Sequence, residues 1–81
     1  MAKHQFEFEF TCYGNAIEAS CGVVPLHSLD EYTVVFNDTD LNVFVFVFYK
    51  EANGNFLWFD MPAMQQRFAK QIVKKLRGVK A

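Results

Sequence analysis

The sequence predicts an α+β domain: an antiparallel, five-stranded, meander-like sheet with one C-terminal amphipathic helix packed on one face (β-β-β-β-β-α). Three observations predict this fold. Polar and apolar residues alternate near the N-terminus, glycine-containing turn sequences separate short apolar runs, and the segment after residue 60 has apolar residues at helical spacing. Because 81 residues is the length of one small domain, we expect a single domain over residues 1–81.

The first two strands are predicted to form a hairpin. Residues 5–11 alternate three phenylalanines with polar residues, which is the period of a strand with one buried face. Gly14-Asn15, with glycine first, is typical of a two-residue type II′ loop, and a second strand follows over residues 16–24. This loop places Phe8 opposite Cys21 and puts the apolar side chains of both strands on one face.

The middle of the chain is predicted to add a short turn and two more strands. Leu26 and Leu29, within residues 25–31, are spaced to pack one short helical turn over the sheet edge. Residues 32–37 read as the third strand, and the turn-forming residues 37–40 follow it. The fourth strand, residues 42–50, is apolar on both faces.

A second hairpin is predicted at Asn53-Gly54, the strongest short hairpin signal in the chain. It leads into a fifth strand over residues 56–59. If these two residues form the loop, Tyr49 faces Trp58 and the neighbouring Phe48 faces Phe59.

The last segment, residues 61 to about 77, is predicted to be an amphipathic helix. Asp60 is the expected N-cap, Pro62 is tolerated in the first turn, and Gly78 is a natural stop. The helical spacing places one set of residues on an apolar face: Met61, Phe68, Ile72 and Leu76. The opposite face is basic: Arg67, Lys70, Lys74 and Arg77.

Strands three to five are predicted to have two apolar faces, of which one helix can cover only one. The first face combines the residues Tyr32, Val34, Phe36, Val43, Val45, Val47, Tyr49, Phe56 and Trp58. The second face, the candidate interface or apolar-ligand surface, consists of Val35, Phe44, Phe46, Phe48, Leu57 and Phe59. So large an apolar patch is rarely left bare by a soluble monomer. We therefore expect a cover: a second copy of the chain, a curved sheet that encloses an apolar small ligand, or a different protein.

Charge is distributed unevenly along the chain. Residues 1–60 contain two bases and nine acids, and residues 61–81 contain six bases and no acid, so charges of −7 and +6 give the net charge of −1. The basic stripe Arg67, Lys70, Lys74 and Arg77 is the candidate site for anions or nucleic acid. The acidic remainder of the domain and the lack of aromatic residues within the stripe argue against duplex binding. Solvated lysines and arginines are also common at the C-terminal end of a helix. Alternatively, the basic helix of one copy approaches the acidic hairpin of another.

Sequence motifs for catalysis or cofactor binding are missing. His27, Ser28 and Asp30 are crowded into one turn, whereas hydrolytic triads join separated segments. The predicted hairpin puts Cys12 and Cys21 too far apart for a shared metal or a disulfide. No phosphate-binding or dinucleotide-binding glycine pattern occurs. We therefore expect no enzyme activity, no metal and no organic cofactor.

The length of the apolar segments and the N-terminal residues indicate the compartment. The longest apolar run, residues 43–49, is far shorter than the roughly 20 residues of a membrane helix, and the N-terminus lacks the apolar stretch of a signal peptide. We therefore expect a cytoplasmic protein.

The function predicted first is that of a small binding domain that homodimerises through the second apolar face. The alternatives are anion or nucleic-acid binding by the helix and apolar-ligand binding by a curved sheet.

Overall fold

The computed structural model describes residues 4–12, 14–37, 40–59 and 61–78. They form six elements in the order β1 (His4–Cys12), β2 (Asn15–Pro25), β3 (Leu29–Asn37), β4 (Val43–Glu51), β5 (Phe56–Leu57) and α1 (Ala63–Arg77). Each strand pairs antiparallel with the next, so the sheet order is β1-β2-β3-β4-β5. The predicted fold class, a five-stranded meander followed by one helix, is confirmed.

The first hairpin has the predicted faces but a different register. Phe8 lies opposite Ala19, not Cys21, and Cys12 lies opposite Asn15, so Asn15 is a paired residue of β2 and not part of the loop. Gly14 has φ +80°, a conformation that favours glycine. A shift of two residues returns every side chain to its own side of the sheet, which is why the predicted faces of β1 and β2 still hold.

The predicted helical turn between β2 and β3 is wrong. The Leu26 N–H donates to the Leu29 carbonyl over 2.7 Å, which closes a tight turn with His27 and Ser28 at its tip. Strand pairing continues to the turn, so β3 begins at Leu29 and not at residue 32. Because the strands stay hydrogen-bonded to this point, the segment has no room for a helical turn, and Leu26 is left 45% exposed.

The β4–β5 hairpin has a three-residue loop, and the two-residue prediction is wrong. The Glu51 N–H donates to the Asn55 carbonyl over 2.8 Å, and the Gly54 N–H donates to the Glu51 carbonyl over 2.9 Å. Gly54 has φ +92°, as expected of the left-handed residue that ends a three-residue hairpin loop. Tyr49 therefore lies opposite Leu57, not Trp58, and this one-residue change moves β5 to the other face relative to β4.

The pairing of β3 with β4 reverses the predicted division of faces. Phe44 lies opposite Phe36 and Phe46 lies opposite Val34. The phenylalanines of β4 therefore share a face with the buried side chains of β3, and the valines of β4 take the other face. Since β4 is apolar on both faces, its own alternation did not distinguish the two arrangements.

The helix packs on the phenylalanine face of the sheet. It begins at Ala63 with Pro62 in the N-cap position, two residues later than predicted; Asp60, the predicted N-cap, lies outside the described residues. Phe68, Ile72 and Leu76 are buried as predicted. The core formed by helix and sheet contains Phe10, Ile17, Ala19, Cys21, Tyr32, Val34, Phe36, Phe46, Phe48, Phe56, Phe68, Ala69, Ile72, Val73 and Leu76. Within the described ranges, no helix has the length and apolar composition required to cross a bilayer.

Candidate functional site

The sheet face opposite α1 carries a continuous apolar surface on its β3–β5 half. We call this surface the valine face and define it by Val35, Val43, Val45, Val47, Tyr49, Leu57 and Phe59. Strand alternation directs these side chains away from the core, to which their neighbours in sequence belong. Three of them are more than half exposed, at 65% for Val43, 57% for Val45 and 66% for Phe59.

Contacts across the strands make the valine face one patch instead of scattered side chains. Val35 of β3 lies directly opposite Val45 of β4, and Tyr49 lies opposite Leu57 of β5. Opposed residues of this kind bring their Cβ atoms to about 5 Å. The rings of Tyr49 and Phe59 also contact each other, with centroids 6.1 Å apart. The patch thus extends without a gap from the middle of the sheet to its β5 edge.

The structure divides the six predicted second-face residues into two groups. Val35, Leu57 and Phe59 lie on the open face, where they were predicted. The placement of the other three is wrong: Phe46 and Phe48 are fully buried under α1, and the half-buried Phe44 stacks on Phe36 with centroids 5.2 Å apart.

The valines of β4 and Tyr49 were predicted on the covered face, so four residues of the valine face were missed. One signal in the sequence points to the observed arrangement. β1 also directs its phenylalanines toward the core, and a helix needs large side chains beneath it to fill the space between the layers. The same orientation of the phenylalanines in β4 places its smaller valines on the open face.

The β1–β2 half of the open face is acidic. Glu7, Glu9 and Glu18 are exposed there, with Glu9 directly opposite Glu18 and Glu7 opposite Ser20. A side-chain hydrogen bond with Glu7, together with the charge of its carboxylate, raises the pKa of Glu18 above its usual range. The open face therefore has three carboxylates on its β1–β2 half, and its β3–β5 half is mainly apolar but includes Thr33 and Glu31, which lie opposite Val47 and Tyr49.

The sheet is open within the part of the chain that the structure describes. β1 pairs only with β2, and β5 pairs only with β4, so the two end strands do not meet to form a closed barrel. No closed barrel of the described strands encloses the valine face, and Val43, Val45 and Phe59 are exposed. The predicted apolar-ligand site in a curved sheet stays a prediction.

The four basic residues of the predicted stripe, Arg67, Lys70, Lys74 and Arg77, are exposed on α1. One of these four, Lys74, also lines a depression with Glu9 of β1. Three of them, all but Arg67, line a shallow depression together with Phe56 and Trp58, and we call this depression the basic groove. The stripe itself contains no aromatic residue, since one ring comes from β5 and the other from Trp58 just after it, and only folding brings them to the helix. Trp58 is half-buried and packs edge-on against Phe48, with centroids 5.8 Å apart.

The predicted thiols and turn residues do not converge on a chemical site. The positions of Cys12 and Cys21 are six residues apart along the β1–β2 ladder, a distance of about 20 Å. Cys21 is buried, and burial raises the pKa of its thiol to about 11, so the unreactive thiol form predominates at neutral pH. His27 and Ser28 form an exposed turn tip, with Asp30 just beyond it. The described ranges hold no group of three or more His, Cys, Asp and Glu residues suited to a metal ion.

Comparison with known proteins gives no family for this chain. No protein-family model, curated protein or solved structure matches it. Its function is therefore inferred from its own exposed surfaces, for which the valine face and the basic groove are the two candidates.

Proposed function

We propose that this chain is a small, non-enzymatic interaction domain that homodimerises by packing the valine faces of two copies together. The observation that carries the proposal is the exposure of Val43, Val45 and Phe59 within one continuous apolar patch. Soluble proteins rarely leave such patches bare, and removing apolar surface from water is the main favourable term in association. A small domain also gains more from oligomerisation than a large one, because its own core is small.

The acidic half of the open face constrains how the two copies pack. Two sheets that meet face to face lie about 10 Å apart, so stacking Glu7, Glu9 and Glu18 of both copies would bring like charges together. A two-fold axis that runs along β4 avoids this arrangement. It superposes the two valine faces and carries each acidic half beyond the β5 edge of the other copy. Both helices then lie on the outside, so pairing between the basic helix and the acidic hairpin of the mate is not part of this dimer.

A charge placed in the valine face tests the proposal. Val35→Lys is expected to halve the molar mass of the assembly, measured by sedimentation equilibrium at micromolar concentrations. In the monomer, the lysine ammonium at this position can extend into water, because Val35 is already 37% exposed. Between two packed faces it would lose that water without gaining a partner.

Leu26→Lys is the matched control, because it introduces the same charge at another exposed apolar residue. Leu26 is 45% exposed and lies six residues along β2 from Ser20, which pairs with Val35, or about 20 Å away. It should leave the molar mass unchanged. A wild-type protein that sediments as a single chain contradicts the proposal, as does a Val35→Lys variant with the molar mass of the wild type.

The basic groove supports a second candidate function, the binding of single-stranded nucleic acid. Lys70, Lys74 and Arg77 lie beside the half-buried ring of Trp58, which is the ring accessible to a base, while the neighbouring Phe56 is a buried core residue. Single-stranded nucleic acids are held by this combination, in which cations contact phosphates and aromatic rings stack with bases. This juxtaposition, which the sequence did not suggest, is the specific reason to retain the anion-binding alternative.

Trp58 is the only tryptophan in the chain, so its fluorescence reports on the groove directly. Adding an oligonucleotide at low ionic strength is expected to quench this fluorescence, and raising the salt concentration should reverse the quenching. Lys74→Glu should weaken binding roughly tenfold, because it replaces a phosphate contact with a repulsive charge. Arg67→Glu makes the same change on the same helix outside the groove and should have a smaller effect. Fluorescence that does not respond to the oligonucleotide at low salt rules out this function.

A further inference from the structure

We infer that the free edge of β4 is a second self-association surface, at which β4 of one copy pairs antiparallel with β4 of another across a two-fold axis at Val45. We call this surface the β4 edge and define it as residues 43–47. It differs from the valine face because its contacts are backbone hydrogen bonds in the plane of the sheet, not side chains stacked above that plane.

The β4 edge is unpaired because β5 is short. β4 extends over Val43–Glu51, but β5 pairs only with its last part, through Tyr49 and Lys50. On the side opposite β3, the strand pairs among the described residues leave β4 without a paired strand from Val43 to Val47. Unpaired strand edges offer a row of N–H and C=O groups to another strand.

The turn after β4 shows which backbone groups point toward this edge. The Glu51 N–H donates to the Asn55 carbonyl, so the backbone groups of Glu51 face the β5 side. Along a strand, every second residue directs its N–H and C=O to the same side. Val43, Val45 and Val47 therefore direct theirs outward, while residues 44 and 46 direct theirs to β3.

The sequence of the β4 edge is self-complementary. Residues 43–47 read Val-Phe-Val-Phe-Val in both directions. Antiparallel pairing centred on Val45 places Val43 of each copy opposite Val47 of the other, and Phe44 opposite Phe46. Valine therefore meets valine on the open face and phenylalanine meets phenylalanine on the helix side. A two-fold contact requires this kind of match, because the same patch must serve both copies.

The edge of β1 and the β4 edge, which the short β5 leaves uncovered, differ in their protection against pairing. β1 carries Glu7 and Glu9, and charged side chains on an edge strand discourage another strand from adding to it. The β4 edge has no charged residue and no proline. Its side chains are β-branched or aromatic, the types that strands favour. Of the two edges, β4 is therefore the one suited to strand addition, and its palindrome identifies a second copy of this chain as the occupant.

Edge pairing goes beyond the proposed face-to-face dimer and does not depend on it. Two five-stranded sheets joined at β4 form one sheet of ten strands, with both valine faces on the same side. Because Val35→Lys disables face packing and leaves the sequence of the β4 edge unchanged, edge pairing can be tested on its own.

Amide hydrogen exchange of the Val35→Lys variant, in which face packing is disabled, tests the edge separately. On raising the protein from micromolar to millimolar concentration, the outward amides of Val43 and Val45 should exchange at least about tenfold more slowly. The amide of Phe46 is bonded to β3 and should be slow at both concentrations. Exchange at Val45 that does not change with concentration overturns the inference, whether or not the wild-type protein dimerises through its valine face.

Val43→Pro removes one outward N–H at the first residue of β4, where proline is tolerated. Combined with Val35→Lys, it should abolish the concentration-dependent protection of Val45 and leave a single chain in sedimentation. Val43→Ala in the same background is the matched control, since it removes the valine side chain but keeps the N–H, and it should retain the protection. Equal protection of Val45 in the proline and alanine variants overturns the inference. The circular dichroism spectrum of each variant establishes that the fold is retained, and the exchange test on Val35→Lys stands without either substitution.

Discussion

Phe46→Ala is expected to lower the free energy of unfolding by about 3–5 kcal/mol, the usual cost of emptying a buried phenylalanine site. Phe46 is 1% exposed, and its ring lies 5.6 Å from that of Phe36 and 6.2 Å from that of Phe48. Truncation removes these contacts and leaves a cavity beneath α1. Since small domains have total stabilities of roughly 5–15 kcal/mol, much of the stability of this one would be lost.

Val45→Ala is the control for Phe46→Ala, because it truncates the neighbouring residue on the opposite face of the same strand. Urea unfolding at a concentration too low for association should show a loss within about 1 kcal/mol for this variant, the range of strand propensities. The comparison also tests the assignment of faces. If Phe46→Ala changed the association of the protein but not its free energy of unfolding, Phe46 would be an interface residue, as the sequence predicted.

Ile72→Ala is expected to destabilise the domain by about 2–5 kcal/mol, since its side chain is fully buried between α1 and the sheet. The helix covers the phenylalanine face through a small number of such residues. Phe68 and Leu76 lie one turn before and after Ile72 on the same helical face. Truncating the central residue therefore weakens the attachment of the whole helix.

Lys70→Ala provides the comparison within the same helix. Lys70 is exposed, and lysine and alanine differ by only a few tenths of a kcal/mol in helix propensity, so this variant should unfold at nearly the wild-type urea concentration. The midpoints of both variants can be read from helical circular dichroism. Similar midpoints for the two would mean that α1 contributes little to the stability of the sheet.

Local patterns in the sequence were sufficient for the five strands, the helix and their order along the chain. The alternation in β1 and the helical spacing of Phe68, Ile72 and Leu76 both arise because one side of each element is buried and the other is wet. The hairpin glycines Gly14 and Gly54 were located correctly, since each occupies a positive φ in its turn. Turn sequences alone did not determine where the first loop begins or how many residues the β4–β5 loop has, and these set the two registers.

For the candidate site, the sequence by itself determined that β3–β5 have more apolar surface than one helix can cover. Only the tertiary structure decided which surface remains open. The three-residue loop before Asn55 and the pairing of Phe46 with Val34 place phenylalanines under the helix and valines outside. Trp58 joins Lys70 and Lys74 only through folding. The physical reason is the same in each case: side chains alternate with a period of two, so one loop residue more or less exchanges the buried face for the exposed one.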